Sequence, residues 1–194
     1  MKNKKVITLF FMSLFTISFQ AFAKSNDEPK ISKGKVVINL KNHHQKIVLD
    51  KPSCPCYTYK KYLKSVGYYT FNVIEEGSEG LSAMLVSDKT GKEFKVDAIP
   101  LVSPNNKKFV TTSMDLSAGF DPNKIEVWHF VKKGMVRDFS LTFEKWGPSD
   151  PIWINNNTIS FSKNIFEAKS GNIIKIAKLF LKFNGKKWAV TDKK

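Results

Sequence analysis

The sequence contains little arginine, cysteine or histidine, and each shortage argues against a class of function. Of its 32 basic residues only Arg137 is an arginine, whereas bidentate readout of phosphates and guanine edges favours arginine. Nucleic acid is therefore not an expected partner. The chain has two cysteines and three histidines, and it lacks the C-x-x-C and G-x-S-x-G motifs. Thiol redox catalysis and serine hydrolysis thus find no support, although a catalytic triad is built by geometry and not by spacing.

Long apolar runs are also missing, except near the N-terminus. Residues 6–19 form an apolar run that follows Lys2, Lys4 and Lys5 and precedes Ala21-Phe22-Ala23. A basic start, an apolar stretch of about 7–15 residues and a small-x-small site are typical of a secretory signal peptide. The run is shorter than the about 20 residues of a spanning helix. We expect cleavage after Ala23, and the alternative is an uncleaved anchor.

This N-terminus predicts the organisation of the rest of the chain. The assignment is a signal peptide over 1–23, a flexible polar segment over 24–34 and a single β domain over 35–194. The mature protein is expected in the periplasm or secreted, with no transmembrane segment after cleavage.

The two cysteines, Cys54 and Cys56, are separated only by Pro55. Export would place them in an oxidising compartment, where the simplest outcome is a disulfide between them. Such a bridge closes a very small loop and adds little stability. Two reduced thiols, a redox pair and a metal clip with His43 and His44 are the alternatives. The metal clip is disfavoured because adjacent histidines on a strand point to opposite faces.

Positive charge is in excess. The formal net charge is +15, and removal of the three lysines of residues 1–23 leaves +12. The lysines are scattered and often fall in pairs at segment ends, as at 107–108, 132–133 and 186–187. Lysines at turns and edges discourage strand pairing between molecules, which favours a role in solubility. Attraction to an anionic envelope surface or to an acidic partner is the alternative.

Apolar and polar residues alternate along most of the chain, as they do in half-buried strands. Runs such as Phe139, Leu141 and Phe143 are bounded by turn signals, among them Asn184-Gly185. Residues 173–183 are also predicted to be a strand, and 58–66 and 164–169 are candidates for short helices. The predicted fold is all-β, with antiparallel hairpins forming a propeller-like curled sheet or a β-sandwich and at most one or two short helices.

Two stretches resemble β-propeller blades. In SPNNKKFVTTSMDLSAGFDPNKIEVWHF (103–130), Ser103-Pro104 and its basic turn are similar to the S-P-D-G-K turn of TolB-type blades. Asp115 followed by Ile125-Glu126-Val127-Trp128 resembles the ending of a WD-type blade, and WGPSDPIWINNNTISFS (146–162) is a looser second copy. The resemblance implies four-stranded blades. The chain otherwise resembles small exported bacterial proteins of unknown function, which implies no mechanism.

Acidic clusters are the remaining candidates for catalysis or metal binding. Glu75, Glu76 and Glu79 provide paired carboxylates, but acids beside glycines are typical of a solvated turn. Asp115 and Asp121 flank a loop that could gather oxygen ligands for calcium, yet the D-x-D-x-D spacing is absent, so a structural turn is favoured. The sequence predicts no catalytic residue, no cofactor and no metal site.

The tryptophans are better candidates for a binding surface than the acidic clusters, because all four lie in the C-terminal half. Interface hot spots favour Trp, so Trp146, Trp153 and Trp128 are the candidate binding residues; the alternative is that all four are packing residues. Strand alternation places Trp153 opposite Ile152 and Ile154. We therefore expect these isoleucines to fill the core, Trp153 to face out and Trp146 to be buried.

These features together predict an exported, non-enzymatic binding protein that recognises another envelope protein, as an inhibitor, immunity or accessory factor. The alternative is a protein that binds or processes cell-wall glycan. The sequence does not indicate an oligomeric state.

Overall fold

The computed structural model of the chain describes residues 28–32, 35–42, 44–49, 56–77 and 79–193. The predicted signal peptide lies outside them. All regular structure within these ranges is β-strand, which confirms the all-β antiparallel class. The strands are β1 (Lys30–Ser32), β2 (Lys35–Asn39), β3 (Gln45–Leu49), β4 (Cys56–Leu63), β5 (Tyr68–Ile74), β6 (Leu81–Ser87), β7 (Glu93–Val96), β8 (Leu101–Val102), β9 (Lys108–Ser113), β10 (Lys124–Val131), β11 (Gly134–Thr142), β12 (Gly147–Asn155), β13 (Thr158–Glu167), β14 (Asn172–Phe183) and β15 (Trp188–Thr191).

The strands form four antiparallel sheets, each made of strands that follow one another in the chain. The first sheet contains β1–β3, the second β4–β7, the third β8–β11 and the fourth β12–β15. Every sheet is therefore an up-and-down meander. In the part of the chain that the structure describes, no sheet closes into a barrel.

The sheets pack face to face in chain order through three hydrophobic clusters. One cluster joins the first and second sheets, another the second and third, and the last the third and fourth. The first of these clusters contains Ile38 and Phe71, the second Leu85 and Phe109, and the third Val127 and Phe161. None of these three clusters, as far as the described residues show, joins the fourth sheet to the first, so closure into a propeller stays a prediction.

Strands in the middle of this stack are buried on both faces. In β6, Val86 belongs to the cluster with the first sheet and Leu85 to the cluster with the third. In β10, Val127 packs towards the fourth sheet and Trp128 towards the second. Burial on both faces explains why apolar residues stand at consecutive positions in these strands, as at 83–86 in β6.

The helix predicted over 58–66 is wrong, and a β-bulge explains the error. In the pairing of β4 with β5, Tyr59 lies opposite Phe71 and Tyr62 opposite Tyr69, which leaves Lys60 as an extra residue. Tyr59 and Tyr62 therefore reach the same core although they are three residues apart. A bulge thus imitates the spacing of a helix.

The second predicted helix, over 164–169, is also wrong, because β13 continues to Glu167 and then turns into β14. The strand predicted over 173–183 is confirmed as β14. Residues 30–32, which the sequence analysis assigns to a flexible segment, form the short edge strand β1. Among the described residues no helix is long and apolar enough to cross a bilayer.

Candidate functional site

The connections between strands lie at the two opposite ends of the strands, because alternate turns of a meander fall on the same side of its sheet. At one end the backbone N–H of Lys41 donates to the carbonyl of Asp88, which joins the first sheet to the second. At the same end the N–H of Asn105 donates to Oδ1 of Asn156 and joins the third sheet to the fourth. At the opposite end the N–H of Leu81 donates to Oδ2 of Asp121. The turns of different sheets are therefore aligned.

Because the turns are aligned, positive and negative side chains are separated along the strand direction. One end, here named the lysine end, carries in its turns Lys41, Lys64, Lys89, Lys92, Lys107, Lys132, Lys133, Lys186 and Lys187. In its described turns the only acidic residue is Asp88. The connections of the opposite end, the acidic end, hold Glu75, Glu76, Glu79, Asp97, Asp115, Asp121 and Glu144 beside Lys145 and Lys169. Lysines that are scattered in the sequence are thus gathered in the structure.

Lysine is suited to attraction more than to geometric readout, because its ammonium group is a hydrated point charge on a flexible stem. The single arginine is not at this end. Arg137 is held on the third sheet by Oε1 of Glu126, 2.9 Å away, and its guanidinium lies over the ring of Trp128. The lysine end can therefore steer an anionic surface towards the protein.

A cavity of about 600 Å³ opens at the lysine end between the second and third sheets. The turns after β4, β6, β8 and β10 all contribute to its wall, which contains Lys89, Lys92, Lys132 and Lys133. Tyr68, Phe94 and Phe130 form its aromatic part. The rings of Tyr68 and Phe130 stack with centroids 5.5 Å apart, and Phe94 meets Tyr68 edge-on at 6.1 Å. The volume is that of a small-molecule site.

Asp88 is the buried acid of this cavity wall, with an exposed fraction of 2%. Its Oδ2 accepts a hydrogen bond from the hydroxyl of Tyr62 at 2.8 Å. The same oxygen forms an ion pair with Nζ of Lys41, 2.6 Å away. Its Oδ1 is buried without any hydrogen-bond partner. Burial, and secondly the charge of Asp88, raise the pKa of the Tyr68 hydroxyl. The Asp88 side chain is therefore anchored through Oδ2 alone.

Gly67 makes room for this carboxylate. Its φ is +73°, a conformation that other residues rarely adopt. A Cβ at this position would lie 2.7 Å from Oδ1 of Asp88. The turn between β4 and β5 therefore requires glycine for two separate reasons.

A smaller cavity, of about 320 Å³, lies between the third and fourth sheets and is lined by Asp138, Lys186, Lys187 and Trp188 among others. Trp188 is 5% exposed, and its indole N–H has no hydrogen-bond partner. Nζ of Lys108 lies 5.0 Å from the centre of that indole ring. This pocket repeats, on a smaller scale, the combination of lysines and aromatic rings.

The three candidate tryptophans all pack against the hydrophobic clusters and are half-buried. The ring of Trp146 stacks on Phe143 with centroids 3.6 Å apart. Trp153 packs edge-on against Trp188 and donates its indole N–H to the carbonyl of Leu101 at 2.9 Å. These contacts give each ring a structural role, and partner binding through them stays a prediction.

The expected orientation of β12 is wrong. Ile152 is 54% exposed and Ile154 is 44% exposed, whereas Trp153 joins the cluster shared with the third sheet. The side chains of residues 152–154 alternate as in any strand, but the opposite face is turned towards the core. The indole is also the side chain that can reach both Trp188 and the backbone of β8, which accounts for the inversion.

Of the two cysteines in the predicted disulfide, Cys54 lies outside the described residues. Cys56 is the first residue of β4. The pairing stays a prediction. His43 is also outside the described residues. Where the chain is described, no group of three His, Cys, Asp or Glu side chains is placed to hold a metal ion.

The loop from Asp115 to Asp121 is organised by backbone hydrogen bonds. The Asp115 carboxylate accepts the N–H of Ala118 at 2.9 Å and that of Phe120 at 2.7 Å. The bond from Ala118, followed by those from Gly119, Phe120 and Asp121, outweighs burial and lowers the pKa of Asp115 to about 2. The Asp115 carboxylate therefore stabilises the conformation of this loop.

Nothing in the sequence distinguishes Asp88 as a site residue. In the sequence it opens an ordinary turn, Asp88-Lys89-Thr90-Gly91, and nothing there separates it from a solvated aspartate. Its partners Lys41 and Tyr62 lie on other strands' ends, so only the stacking of the first two sheets reveals its burial.

No model of a known protein family matches the chain, and no curated protein matches it.

Proposed function

We propose that this chain is an exported, non-catalytic binding protein that recognises another protein of the cell envelope through its lysine end. The single observation that carries the proposal is the separation of positive and negative side chains between the two ends of the strands. Lysines that served only solubility would have no reason to collect at one end while the acids collect at the other. A surface patch whose charges are all positive is what is expected of a protein that attracts a negatively charged partner.

The proposed partner presents an acidic surface. Point-charge lysines on turns are rim-type contacts, which raise the rate of encounter more than the final affinity. Short turns that are aligned on packed sheets also lower the cost of ordering the backbone at binding. Periplasmic or secreted localisation, inferred from residues 1–23, would bring the protein to such partners.

Support for a non-catalytic role comes from the surroundings of the histidines. Nδ1 of His129 lies 2.5 Å from Oδ1 of Asp138, an arrangement that could orient a general base. Yet among the described residues no serine or threonine hydroxyl forms a hydrogen bond with His129. The pair therefore lacks a hydroxyl nucleophile.

The test is capture from envelope extract on the immobilised mature protein, followed by kinetics with the captured partner. The association rate constant should fall steeply between about 50 and about 300 mM salt while the dissociation rate constant changes little. A partner whose association is insensitive to salt would contradict docking at the lysine end.

Binding of cell-wall glycan is the second candidate, and one observation favours it. The cavity between the second and third sheets is lined by the aromatic rings of Tyr68, Phe94 and Phe130, and aromatic walls are usual in small-ligand sites. A screen of envelope glycans, run beside the protein capture, separates the two candidates.

A further inference from the structure

We propose that the cavity between the second and third sheets receives one aromatic side chain from an acidic peptide segment of the protein partner. It rests on the proposed function and adds the part of the partner that the lysine end recognises. Synthetic peptides can stand in for that segment, so the two proposals can fail separately.

The acidic character of the segment follows from the charges around the opening. Four exposed lysines from one turn of the second sheet and one turn of the third line the cavity, and they are Lys89, Lys92, Lys132 and Lys133. Asp88 is the one acid among the described lining residues, and it is buried with its Oδ2 paired to Lys41. Carboxylates at the opening would therefore meet ammonium groups from two sheets and no exposed acid.

The aromatic side chain follows from the apolar part of the wall. Val66, Phe94 and Phe130 line the cavity and are half-buried. A ring entering between them would gain the edge-on or offset contacts that aromatic rings prefer. The cavity volume of about 600 Å³ lies within the usual range for ligand pockets. It can therefore hold one large side chain together with the peptide groups that flank it.

The Tyr68 hydroxyl is an independent sign of a ligand. Tyr68 lines the cavity and is 8% exposed, yet no residue that the structure describes forms a hydrogen bond with its hydroxyl. Unlike Oδ1 of Asp88, which is buried against Gly67, this oxygen keeps accessible surface.

The same hydroxyl indicates a hydrogen-bond acceptor in the ligand. Burial, and secondly the charge of Asp88, raise the pKa of Tyr68, so the hydroxyl stays protonated at neutral pH. It is therefore a donor without an acceptor, which is an unfavourable state for a largely buried group. A backbone carbonyl beside the inserted side chain would supply the acceptor without bringing a further negative charge towards Asp88.

The smaller cavity at Trp188 provides an internal comparison. It also has two lysines, Lys186 and Lys187, but its wall contains Asp138 and its volume is about half as large. Its unpartnered donor, the Trp188 indole N–H, is fully buried and out of reach of a ligand. Since the third sheet separates the two cavities, Lys186 and Lys187 serve as a matched control.

The test is isothermal titration of the mature protein at about 150 mM salt, where charges more than about 8 Å apart are largely screened. The probes are the capped peptides acetyl-EEFEE-amide, acetyl-EEAEE-amide and acetyl-QQFQQ-amide, and the small acid phenylacetate. Acetyl-EEFEE-amide should bind at least about tenfold more tightly than each other probe, because it alone combines the ring, the row of carboxylates and the backbone carbonyls.

Two double variants locate the carboxylates. Lys132→Ser combined with Lys133→Ser should weaken acetyl-EEFEE-amide about fivefold. Lys186→Ser combined with Lys187→Ser, with the same change of net charge, should leave its affinity within about twofold.

Two single variants test the hydroxyl. Tyr68→Phe keeps the ring and should weaken the peptide about threefold or more. Tyr57→Phe should leave the affinity unchanged, because Tyr57 packs against the cluster of the first and second sheets and not in the cavity. Thermal unfolding of both variants verifies that they are folded.

The proposal is overturned if acetyl-EEFEE-amide does not bind at millimolar concentration, if the two double variants lose affinity equally, or if the two tyrosine variants bind equally. Equal binding of the alanine or glutamine peptide would also contradict it, and equal binding of phenylacetate would assign the cavity to a small aromatic acid instead. None of these results bears on capture of a protein partner, which can dock on the lysine end without entering the cavity.

Discussion

Arg137 and Glu126 form an ion pair on the third sheet, with 2.9 Å between Nη1 and Oε1. Glu126 is only 1% exposed, although it lies on a strand between Ile125 and Val127. Its carboxylate also accepts hydrogen bonds from the Ser140 hydroxyl and the Trp128 indole. The buried charge is thus held by several donors, which is the condition under which a buried acid is tolerated.

Lys124 completes this network, with Nζ 3.2 Å from Oε1 of Glu126 and in contact with Asp97. Burial lowers the pKa of Lys124, but its hydrogen bonds to Asp97 and Glu126 outweigh burial and leave that pKa raised. We expect Glu126→Ala to lower the free energy of unfolding by about 1–3 kcal/mol, because it leaves the Ser140 hydroxyl and the Trp128 indole without their acceptor, whereas Arg137 is half-exposed and Lys124 keeps Asp97.

The matched control is Glu93→Ala, which removes a half-exposed carboxylate paired with Lys46 at 2.7 Å. It should cost less than about 1 kcal/mol. Urea unfolding followed by tryptophan fluorescence measures both. Equal losses in the two variants would show that Glu126 is not the centre of the network.

Gly67 and Gly77 form a second matched pair. Their φ angles are +73° and +71°, but a Cβ on Gly67 would overlap the Asp88 carboxylate while one on Gly77 would meet nothing within 4 Å. Each alanine should pay about 1–2 kcal/mol for the left-handed conformation. Gly67→Ala should lose about 1–3 kcal/mol more, through overpacking. Thermal unfolding gives the difference, and equal losses would contradict the contact with Asp88.

The Asp115 loop should respond to acid at an unusually low pH. The pKa of Asp115 is lowered from 3.8 to about 2 by the hydrogen bonds from the backbone, that of Ala118 first. The carboxylate therefore stabilises the loop fully above the unfolded pKa, and this contribution is lost as pH falls through about 2. NMR titration of the Asp115 carboxyl carbon should give a midpoint near 2, and a midpoint near 4 would contradict it. In Asp115→Ala the Ala118 and Phe120 amides should exchange faster at neutral pH.

The cysteine pair is predicted to form a disulfide in the mature protein, because export places Cys54 and Cys56 in an oxidising compartment. The intact mass without reductant should be two hydrogens lower than the mass of the same sample after reduction. Replacing both cysteines by serine should cost less than the about 3 kcal/mol expected for a loop of about 15 residues. Alkylation of both thiols without reductant would rule the bridge out.

Strand content was predictable because it depends on local alternation. Leu179 and Leu181 belong to one such run, and β14 contains both. The helix predicted over 58–66 failed because the extra residue Lys60 changes the period from two to three at one point. A bulge depends on the pairing partner, so the sequence of one strand alone does not reveal it.

The candidate site was less predictable, because it depends on how sheets stack. Lys132 and Lys89 are 43 residues apart, and they share a cavity wall only because the second and third sheets align their turns. Asp88 is likewise buried by contacts with the first sheet. Glu126 did carry a signal, since an acid between apolar residues on a strand buried on both faces must find donors.

The measurement that tests the central claim most directly compares two triple variants of equal net charge. One replaces Lys107, Lys186 and Lys187 of the lysine end by serine, and the other replaces Lys145, Lys169 and Lys178, which are exposed and lie away from that end. With the partner captured by the unmodified chain, the association rate constant should fall at least about tenfold in the first variant and stay within about twofold in the second. Equal rate constants in the two variants would contradict recognition through the lysine end.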